Sequence, residues 1–483
     1  MALSPRTARN TGQKSVGRVK KFASVVKSKF PRMFRLMRSA ISPLLSDETL
    51  LALGPSERFG DANEKTQSGP DFLEELEKAA QDPVALTKQM LNSTKILKAT
   101  GLAEKASSLL PTYSFGSYVP GNFEWERKWQ NSPFDYRVLI IAPKDFSGSA
   151  YKLAEALNLH SDFACRLITF ESHQFGYAND LIVLEKSQER SSLLLAEAEN
   201  AGTLILKDEQ SWYHDSLAHR PGRQHKHDAV NKLFFGPRDQ RVKCFTLYGG
   251  YTRKYRNVAS WRIALESFDS LLAFTPDLFI HGLPNQLIPH AINVEKTSMA
   301  WTDSSLLHHS VSTLKPLRKG SDLFFEALGT LEESGNRAWK KWEVDFVTGV
   351  SFEEALKRKR LASLSFDQAG REGRISLGVD SVIGWYGNSA IESLAMGIPV
   401  IAHLSEKALS NAASFGMRPG RGLIPVKLSS KDIAEKILDF VRSSHSEKLE
   451  LAHAARLYAS RWHSYESVAS RLGAHLQTLR DNH

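Results

Sequence analysis

The sequence predicts an α/β protein built from two doubly wound parallel sheets. Short apolar strands alternate with helical segments along most of the chain, which is the pattern that helix-covered parallel sheets produce. The chain has 483 residues, of which 42% are hydrophobic, so it is long enough to bury two cores. Between residues 384 and 402, a glycine-rich turn, a short helix and an apolar strand follow one another, as in a strand–helix–strand unit of such a sheet.

The first sheet is predicted to begin with an apolar strand at 136–143. A loop containing Ser147, Gly148 and Ser149 follows, and then a helix through Leu157. Because open α/β sheets bind ligands at the carboxyl ends of their strands, this loop is a candidate for one wall of a binding site. Further strands are predicted at 165–170, 203–207, 244–247 and 271–274.

The second sheet is predicted from the same alternation after residue 287. A strand that ends in a turn is expected at 344–350 and a further strand at 400–402, with helices at 323–331 and 352–360.

The turn that ends at Gly387 carries the strongest functional signal. Glycine lets the backbone come close to a ligand, and Asn388 and Ser389 are good helix starters. The helix that they open would direct its first N–H groups, from Gly387 to Ala390, at an anion such as phosphate. Glu392, one turn later, is placed to accept hydrogen bonds from sugar or ribose hydroxyls. The spacing alone fits any strand–helix–strand unit equally well.

The positive charge is concentrated at the N-terminus. The chain carries 63 Lys and Arg against 53 Asp and Glu, a net charge of +10. Eleven of the basic residues and none of the acidic ones lie between Met1 and Ser46, which leaves 52 basic against 53 acidic residues elsewhere. A nucleic-acid-binding domain carries its basic face on the folded body. The neutral body therefore argues against nucleic acid as a partner.

This basic arm, residues 1–46, has the apolar period of an amphipathic helix that Pro31 would kink. Such a helix suits the surface of an anionic membrane. A helix packed on the protein, a disordered basic tail and a mitochondrial transit peptide fit the same pattern. The apolar stripe consists of Val19, Phe22, Val26, Phe30, Met33, Met37, Ile41 and Leu44.

Cysteine usage and hydropathy favour the cytoplasm. Cys165 and Cys244 are too few for a disulfide framework, so a reducing compartment is expected. No apolar run approaches the roughly 20 residues that a membrane span needs. With the arm, this predicts a cytoplasmic protein held peripherally at the inner face of the membrane.

The residue order of this motif also resembles that of a known family. The segment from Gly384 to Ala402 resembles the donor-binding signature of GT-B glycosyltransferases of the GT4-like type, in which a glycine-rich loop and an acid precede a small–Met–Ala–x–Gly–x–Pro–Val–Ile run. Asp367 and Gln368, followed by Gly-Trp-Tyr-Gly ending at Gly387, resemble a bacterial subgroup. The family usually carries two glutamates; Glu392 matches the second, and Gly384 stands at the first position.

The resemblance implies a GT-B fold, with two Rossmann-like doubly wound domains facing a cleft and the basic arm preceding them. The segment 308–312 resembles the first strand of the second domain and the loop after it, and the segment 462–472 resembles the helix that closes this fold. The implied organisation is an arm at 1–46, a helical linker region at 47–134, an acceptor domain at 135–287, a donor domain at 288–440 and closing helices at 441–483.

The resemblance also assigns site residues. Lys319 matches the family's phosphate-binding lysine, and Lys315 or Arg318 stands where the family often has an arginine. Cations at a helix start oppose the helix dipole, so an anion is expected beside them. Gly349 lies in the turn that holds the nucleotide base. On the acceptor side, the candidates are the loop of Ser147, Gly148 and Ser149 and the turn of Tyr248, Gly249 and Gly250.

The implied function is transfer of a sugar from a nucleotide-diphosphate sugar to a glycan or lipid-linked acceptor in surface polysaccharide or glycoconjugate synthesis. Lys319, Arg318 and Glu392 are the expected catalytic residues. The chain has no Asp-x-Asp motif and no zinc-type Cys/His spacing, so no metal or other cofactor is expected, and the family implies retention of anomeric configuration. A sugar-nucleotide epimerase on the same fold and a non-catalytic membrane scaffold are the alternatives.

Overall fold

Two parallel sheets organise the part of the chain that the structure, a computed structural model, describes. Both lie in one compact unit of the chain, Ser117–Val311 with Lys315–His483. The arm at 1–46 and most of the predicted linker region lie outside the described residues. The described residues are 118–119, 123–170, 177–183, 194–207, 233–234, 240–247, 249, 252–253, 258–311, 319–370 and 382–482.

The first sheet has eight strands in the order β1-β4-β3-β2-β5-β6-β7-β8. All pairings are parallel except that of β1 with β4. The strands are β1 Tyr118–Val119, β2 Arg137–Ile141, β3 Ala164–Thr169, β4 Leu181–Val183, β5 Thr203–Leu206, β6 Val242–Leu247, β7 Ser270–Ala273 and β8 Asn285–Leu287. The strands predicted from the sequence are confirmed, with ends that differ by at most two residues.

The first sheet is covered on both faces, which explains why its strands are apolar at successive positions. In β2, Val138 and Ile140 enter one hydrophobic cluster, whereas Leu139 and Ile141 enter the other. Because neighbouring side chains of a strand point to opposite faces, both faces must be buried for all four to leave water. Described helices beside this sheet are α1 Phe123–Asn131, α2 Ser149–His160 and α3 Ala259–Leu265.

The second sheet has five strands, all parallel, in the order β10-β9-β11-β12-β13. The strand and turn predicted at 344–350 are confirmed: the strand ends at Thr348, and Gly349 turns the chain with a φ of +70°. The strands are β9 Leu306–Val311, β10 Glu343–Thr348, β11 Leu364–Phe366, β12 Val400–His403 and β13 Leu423–Val426. The helices are α4 Ser321–Glu333, α5 Phe352–Lys359, α6 Asn388–Ala395, α7 Glu406–Ser414 and α8 Ser430–Arg442.

The chain then returns to the first sheet through two helices, α9 His445–His463 and α10 Tyr465–Asp481. The segment 462–472, which resembles a closing helix, contains the boundary between these two helices, because the hydroxyl of Ser464 accepts the N–H of Ser467 and starts a new helix. In α10, Val468, Leu472 and Leu476 join the hydrophobic cluster of α2. Among the described helices, none has the length and apolar character of a bilayer span.

Candidate functional site

The carboxyl edges of the two sheets meet, so the loops that follow their strands lie together. The Asn411 side chain of α7 donates to the carbonyl of Pro276, which follows β7, at 2.8 Å. The Lys152 ammonium of α2 lies 3.8 Å from the Glu392 carboxylate of α6. Ligands bind at this edge in open α/β sheets. The contacts therefore place the candidate site between the two halves of the chain.

Lys319 and Asp367 form an ion pair at the carboxyl edge of the second sheet. The Lys319 ammonium donates to Asp367 Oδ1 at 2.7 Å, and the N–H of Gly387 donates to Asp367 Oδ2 at 2.6 Å. The Asp367 carboxylate is fully buried, whereas 23% of the Lys319 side chain is exposed. Asp367 thus fixes both a cation and the backbone of the glycine turn, while the cation stays accessible.

Charge and burial act in opposite directions on Asp367. Burial alone would raise the pKa of this carboxyl group, since it disfavours the charged form. The nearby Lys319 ammonium and the Gly387 N–H favour the anion more strongly, so the pKa of Asp367 lies below its usual value. The carboxylate is therefore ionised at neutral pH.

Gly387 lies close to these groups. A Cβ atom at this position would lie 3.1 Å from Lys319 Nζ, 3.6 Å from Asp367 Oδ2 and 3.7 Å from Gln368 Oε1. Gln368 also donates its amide to the carbonyl of Trp385 within the same turn. The structure therefore brings together four of the residues that the sequence singled out.

Helix α6 begins beside this cluster, and some N–H groups of its first turn are available to bind a ligand. Its N-cap residue, Gly387, provides no side-chain cap. Within the described part of the chain, the N–H groups of Asn388 and Ser389 have no acceptor. The sequence interpretation counted four amides here, but the N–H of Gly387 binds Asp367 and that of Ala390 binds the carbonyl of Gly387 at 3.1 Å. Two amides remain for an anion.

Glu392 lies between two lysines that the sequence analysis did not single out. The Lys359 ammonium, at the end of α5, donates to Glu392 Oε2 at 2.7 Å, and Lys152 faces Oε1 at 3.8 Å. Lys359 also donates to the carbonyl and the hydroxyl of Ser389, at 2.9 and 3.0 Å. A carboxylate has about four acceptor positions, so Glu392 retains capacity for a ligand hydroxyl.

On the first sheet, the loop after β2 is organised by Asp145. Its two carboxylate oxygens accept the N–H groups of Ala150 and Tyr151, each at 2.9 Å, at the start of α2. Lys207, which follows β5, donates to Asp145 Oδ1 at 2.6 Å. The N-terminus of α2 is therefore occupied by a carboxylate of the protein itself, and it is not an open anion site.

The predicted acceptor-side residues are only partly described. Ser147 has a φ of +65° and is half-buried, whereas Gly148 and Ser149 are buried. The Ser149 hydroxyl donates to the carbonyl of Phe146 at 3.2 Å. Gly249 is described, with a φ of +65°. Four predicted site residues lie outside the described residues: Tyr248, Gly250, Lys315 and Arg318.

The residues that sequence reasoning missed follow strand ends. Lys207 comes directly after β5, and Asp277 follows β7 at a distance of four residues. Their position at the carboxyl edge is a signal that could have found them. Lys152 and Lys359 carry no such signal, because both lie on helices. Among the residues described, no group of three or more His, Cys, Asp and Glu is placed to hold a metal ion.

No protein-family model and no curated protein sequence matches the chain. Its fold is similar to that of HepE from Anabaena in complex with UDP and glucose, with 11% identity over 71% of this chain and 99% of HepE and a TM-score of 0.48. A glycosyltransferase from Rickettsia africae is 11% identical over 73% of this chain and all of its own, with a TM-score of 0.45. The N-terminal domain of a Candida albicans trehalose-6-phosphate phosphatase is 10% identical over 72% and 100%, also with a TM-score of 0.45. At these identities the similarity concerns the path of the chain, not the residues of the site.

Proposed function

We propose that the protein is a glycosyltransferase, which transfers a sugar from a nucleotide-diphosphate sugar to a glycan or lipid-linked acceptor. One observation supports the proposal: the accessible Lys319 ammonium lies against Gly387, beside the N–H groups of Asn388 and Ser389, for which the described residues provide no acceptor. A cation and a helix N-terminus at the carboxyl edge of a parallel sheet form a site for a phosphate group.

The chemistry of sugar transfer needs these groups. As the bond between the sugar and the diphosphate breaks, positive charge develops on the sugar and negative charge on the leaving phosphate. Fixed donors aimed at the growing negative charge are usually the largest catalytic contribution. In our proposal Lys319 and the amides of Asn388 and Ser389 provide them, and Asp367 holds Lys319 in place. Arg318 or Lys315 is the proposed second cation.

The remaining donor contacts follow from the same placement. The half-buried turn at Gly349 follows β10 at the same edge, and we assign it to the nucleotide base. Glu392 is assigned to the ribose or sugar hydroxyls, with Lys359 holding its carboxylate. The reaction is proposed to need no metal and to retain the anomeric configuration, as the resemblance in sequence implies.

The acceptor is proposed to lie on the side of the first sheet, near Ser147 and Gly249. The basic arm at 1–46 suggests that the acceptor is presented at the inner membrane surface, as a lipid-linked glycan or a growing surface polysaccharide is. The arm would keep the enzyme at that surface without a membrane span.

The test begins with binding. Calorimetric titration of the full chain with UDP, GDP, ADP and dTDP should identify one nucleoside diphosphate that binds, and the matching sugar nucleotides should then be tried with lipid-linked and glycan acceptors. Release of nucleoside diphosphate that depends on the acceptor supports transfer. Conversion of the sugar nucleotide without an acceptor would indicate an epimerase. If none of the nucleotides binds, the non-catalytic scaffold becomes the favoured alternative.

A matched lysine controls for general effects of charge. Lys319→Met should abolish binding or turnover, whereas Lys436→Met should leave both unchanged. Lys436 also faces an aspartate, Asp439, at 3.5 Å, but this pair is exposed on α8. Equal activity of the two variants would refute the proposed site.

A further inference from the structure

The turn Gly384–Gly387 is held by side chains from both halves of the chain. Asp367 accepts the N–H of Gly387, and Gln368 donates to the carbonyl of Trp385. Both belong to the second sheet. The first residue of the turn is held differently: the N–H of Gly384 donates to Asp277, which follows β7 of the first sheet, at 3.3 Å.

Asp277 is itself fixed by its neighbours. Its Oδ2 accepts Nε and Nη2 of Arg253 at 2.9 and 2.7 Å, and its Oδ1 accepts the hydroxyl of Thr275 at 2.7 Å. Both members of the ion pair are only 6% exposed. Two guanidinium N–H groups thus converge on one carboxylate oxygen, and charge-assisted hydrogen bonds of this kind are stronger than neutral ones. The carboxylate therefore reaches the Gly384 turn in one defined orientation.

Gly384 leaves no room for a side chain of its own. A Cβ atom here would lie 2.3 Å from Ser405 Oγ and 3.3 Å from the Cβ of Asp277. The N–H of Ser405 also donates to the Gly384 carbonyl at 3.0 Å. Residue 384 is thus pinned between the two halves, and the carboxylate beside it comes from the first sheet.

We infer that Asp277, oriented by Arg253, is a positioning residue for the nucleotide-diphosphate sugar: it sets the Gly384–Gly387 turn from across the junction of the two halves. The inference rests on the proposed function, since the turn presents Gly387 and the start of α6 to the donor. It joins the two halves of the site, because the donor-binding turn is complete only while the first sheet lies against it.

The test compares two aspartates of the first sheet in the full chain. Asp277→Ala removes the contact to Gly384. The control, Asp269→Ala, removes a carboxylate that also accepts a backbone N–H, that of Lys243 at 2.7 Å, but at the opposite end of β7. The ligand is whichever of UDP, GDP, ADP and dTDP the wild type binds best. Because a hydrogen bond to a charged group is lost, Asp277→Ala should bind this nucleoside diphosphate roughly tenfold more weakly.

Only Asp277→Ala should show this loss, although both variants should lower Tm. Asp277→Asn keeps an oxygen acceptor and should restore affinity to within roughly threefold of the wild type. A loss that is no larger for Asp277→Ala than for Asp269→Ala would overturn the inference, because Asp277 would then only stabilise the fold.

Hydrogen exchange in the free protein separates the inference from the proposed function. Amides of the Gly384–Gly387 segment should exchange roughly tenfold faster in Asp277→Ala, and not in Asp269→Ala. Unchanged exchange there would also overturn the inference. If exchange is faster in Asp277→Ala but the wild type binds none of the four nucleotides, Asp277 still orders the turn. The proposal that the protein is a glycosyltransferase would then be refuted.

Discussion

Replacing Lys319 by Met should separate a structural role of this lysine from a chemical one. The substitution keeps most of the side-chain volume but leaves the fully buried Asp367 carboxylate without its cation, which donates at 2.7 Å in the wild type. Breaking a buried ion pair by removing one partner costs about 3–5 kcal/mol. Because the lysine is 23% exposed and partly solvated, we expect the lower end, about 3 kcal/mol.

Adding Asp367→Asn to the same chain should recover most of that stability. The second change removes the uncompensated charge, and the amide oxygen still accepts the N–H of Gly387. Urea unfolding of the single and double variants measures the free energies, and we expect the double variant to lie within about 1 kcal/mol of the wild type. Its nucleoside diphosphate release should stay as low as that of Lys319→Met.

Two results would refute this reasoning. Recovery of turnover together with stability would show that Lys319 is only the counter-ion of Asp367. A single variant as stable as the wild type would show that the Asp367 carboxylate does not depend on this cation.

Three further changes test other parts of the molecule. Glu392→Gln should weaken sugar-nucleotide binding roughly tenfold in calorimetry with the fold retained, and unchanged affinity would reject the hydroxyl contact. Burial lowers the pKa of His463, which bonds to the Tyr386 hydroxyl, from 6.5 to about 4, so the unfolded chain binds more protons between these values and stability falls as pH drops. Between pH 7 and pH 5, urea unfolding should show a loss of stability that is about 2 kcal/mol smaller in His463→Gln than in the wild type. Deleting residues 1–46 should abolish salt-sensitive binding to anionic vesicles and leave nucleotide binding intact; retention on vesicles would exclude the arm as the anchor.

The sequence predicted the elements well because local patterns determine them. A short apolar run such as 138–141 favours a strand covered on both faces, and Gly397, with a φ of +75°, ends α6 where the motif predicted. The break at Ser464 was missed because the helical period of α9 and α10 continues across it. Only the capping hydroxyl of Ser464 marks the new start.

The individual site residues were predictable, but their pairing was not. Lys319, Asp367 and Gly387 were each singled out, whereas the bonds that link them join positions 48 and 20 residues apart. No periodicity in a single sequence encodes such distances. The glycine at 384 shows the limit most clearly. The motif shows only that glycine stands where the family usually has a glutamate. The packing of Ser405 and Asp277 shows why a side chain does not fit there.

The ion pair between Lys319 and Asp367 affects how Lys319 would act in catalysis. A diphosphate that enters must share the ammonium with Asp367, whose pKa in the protein alone lies below its usual value. The net attraction in the ground state is therefore reduced by the charge that is already present. In the proposed transfer, the negative charge that develops on the departing diphosphate would meet a cation that is already oriented, so the interaction would strengthen mainly in the transition state. A lysine held in this way should contribute more to kcat than to donor affinity, which is the division that favours turnover over tight binding of the substrate.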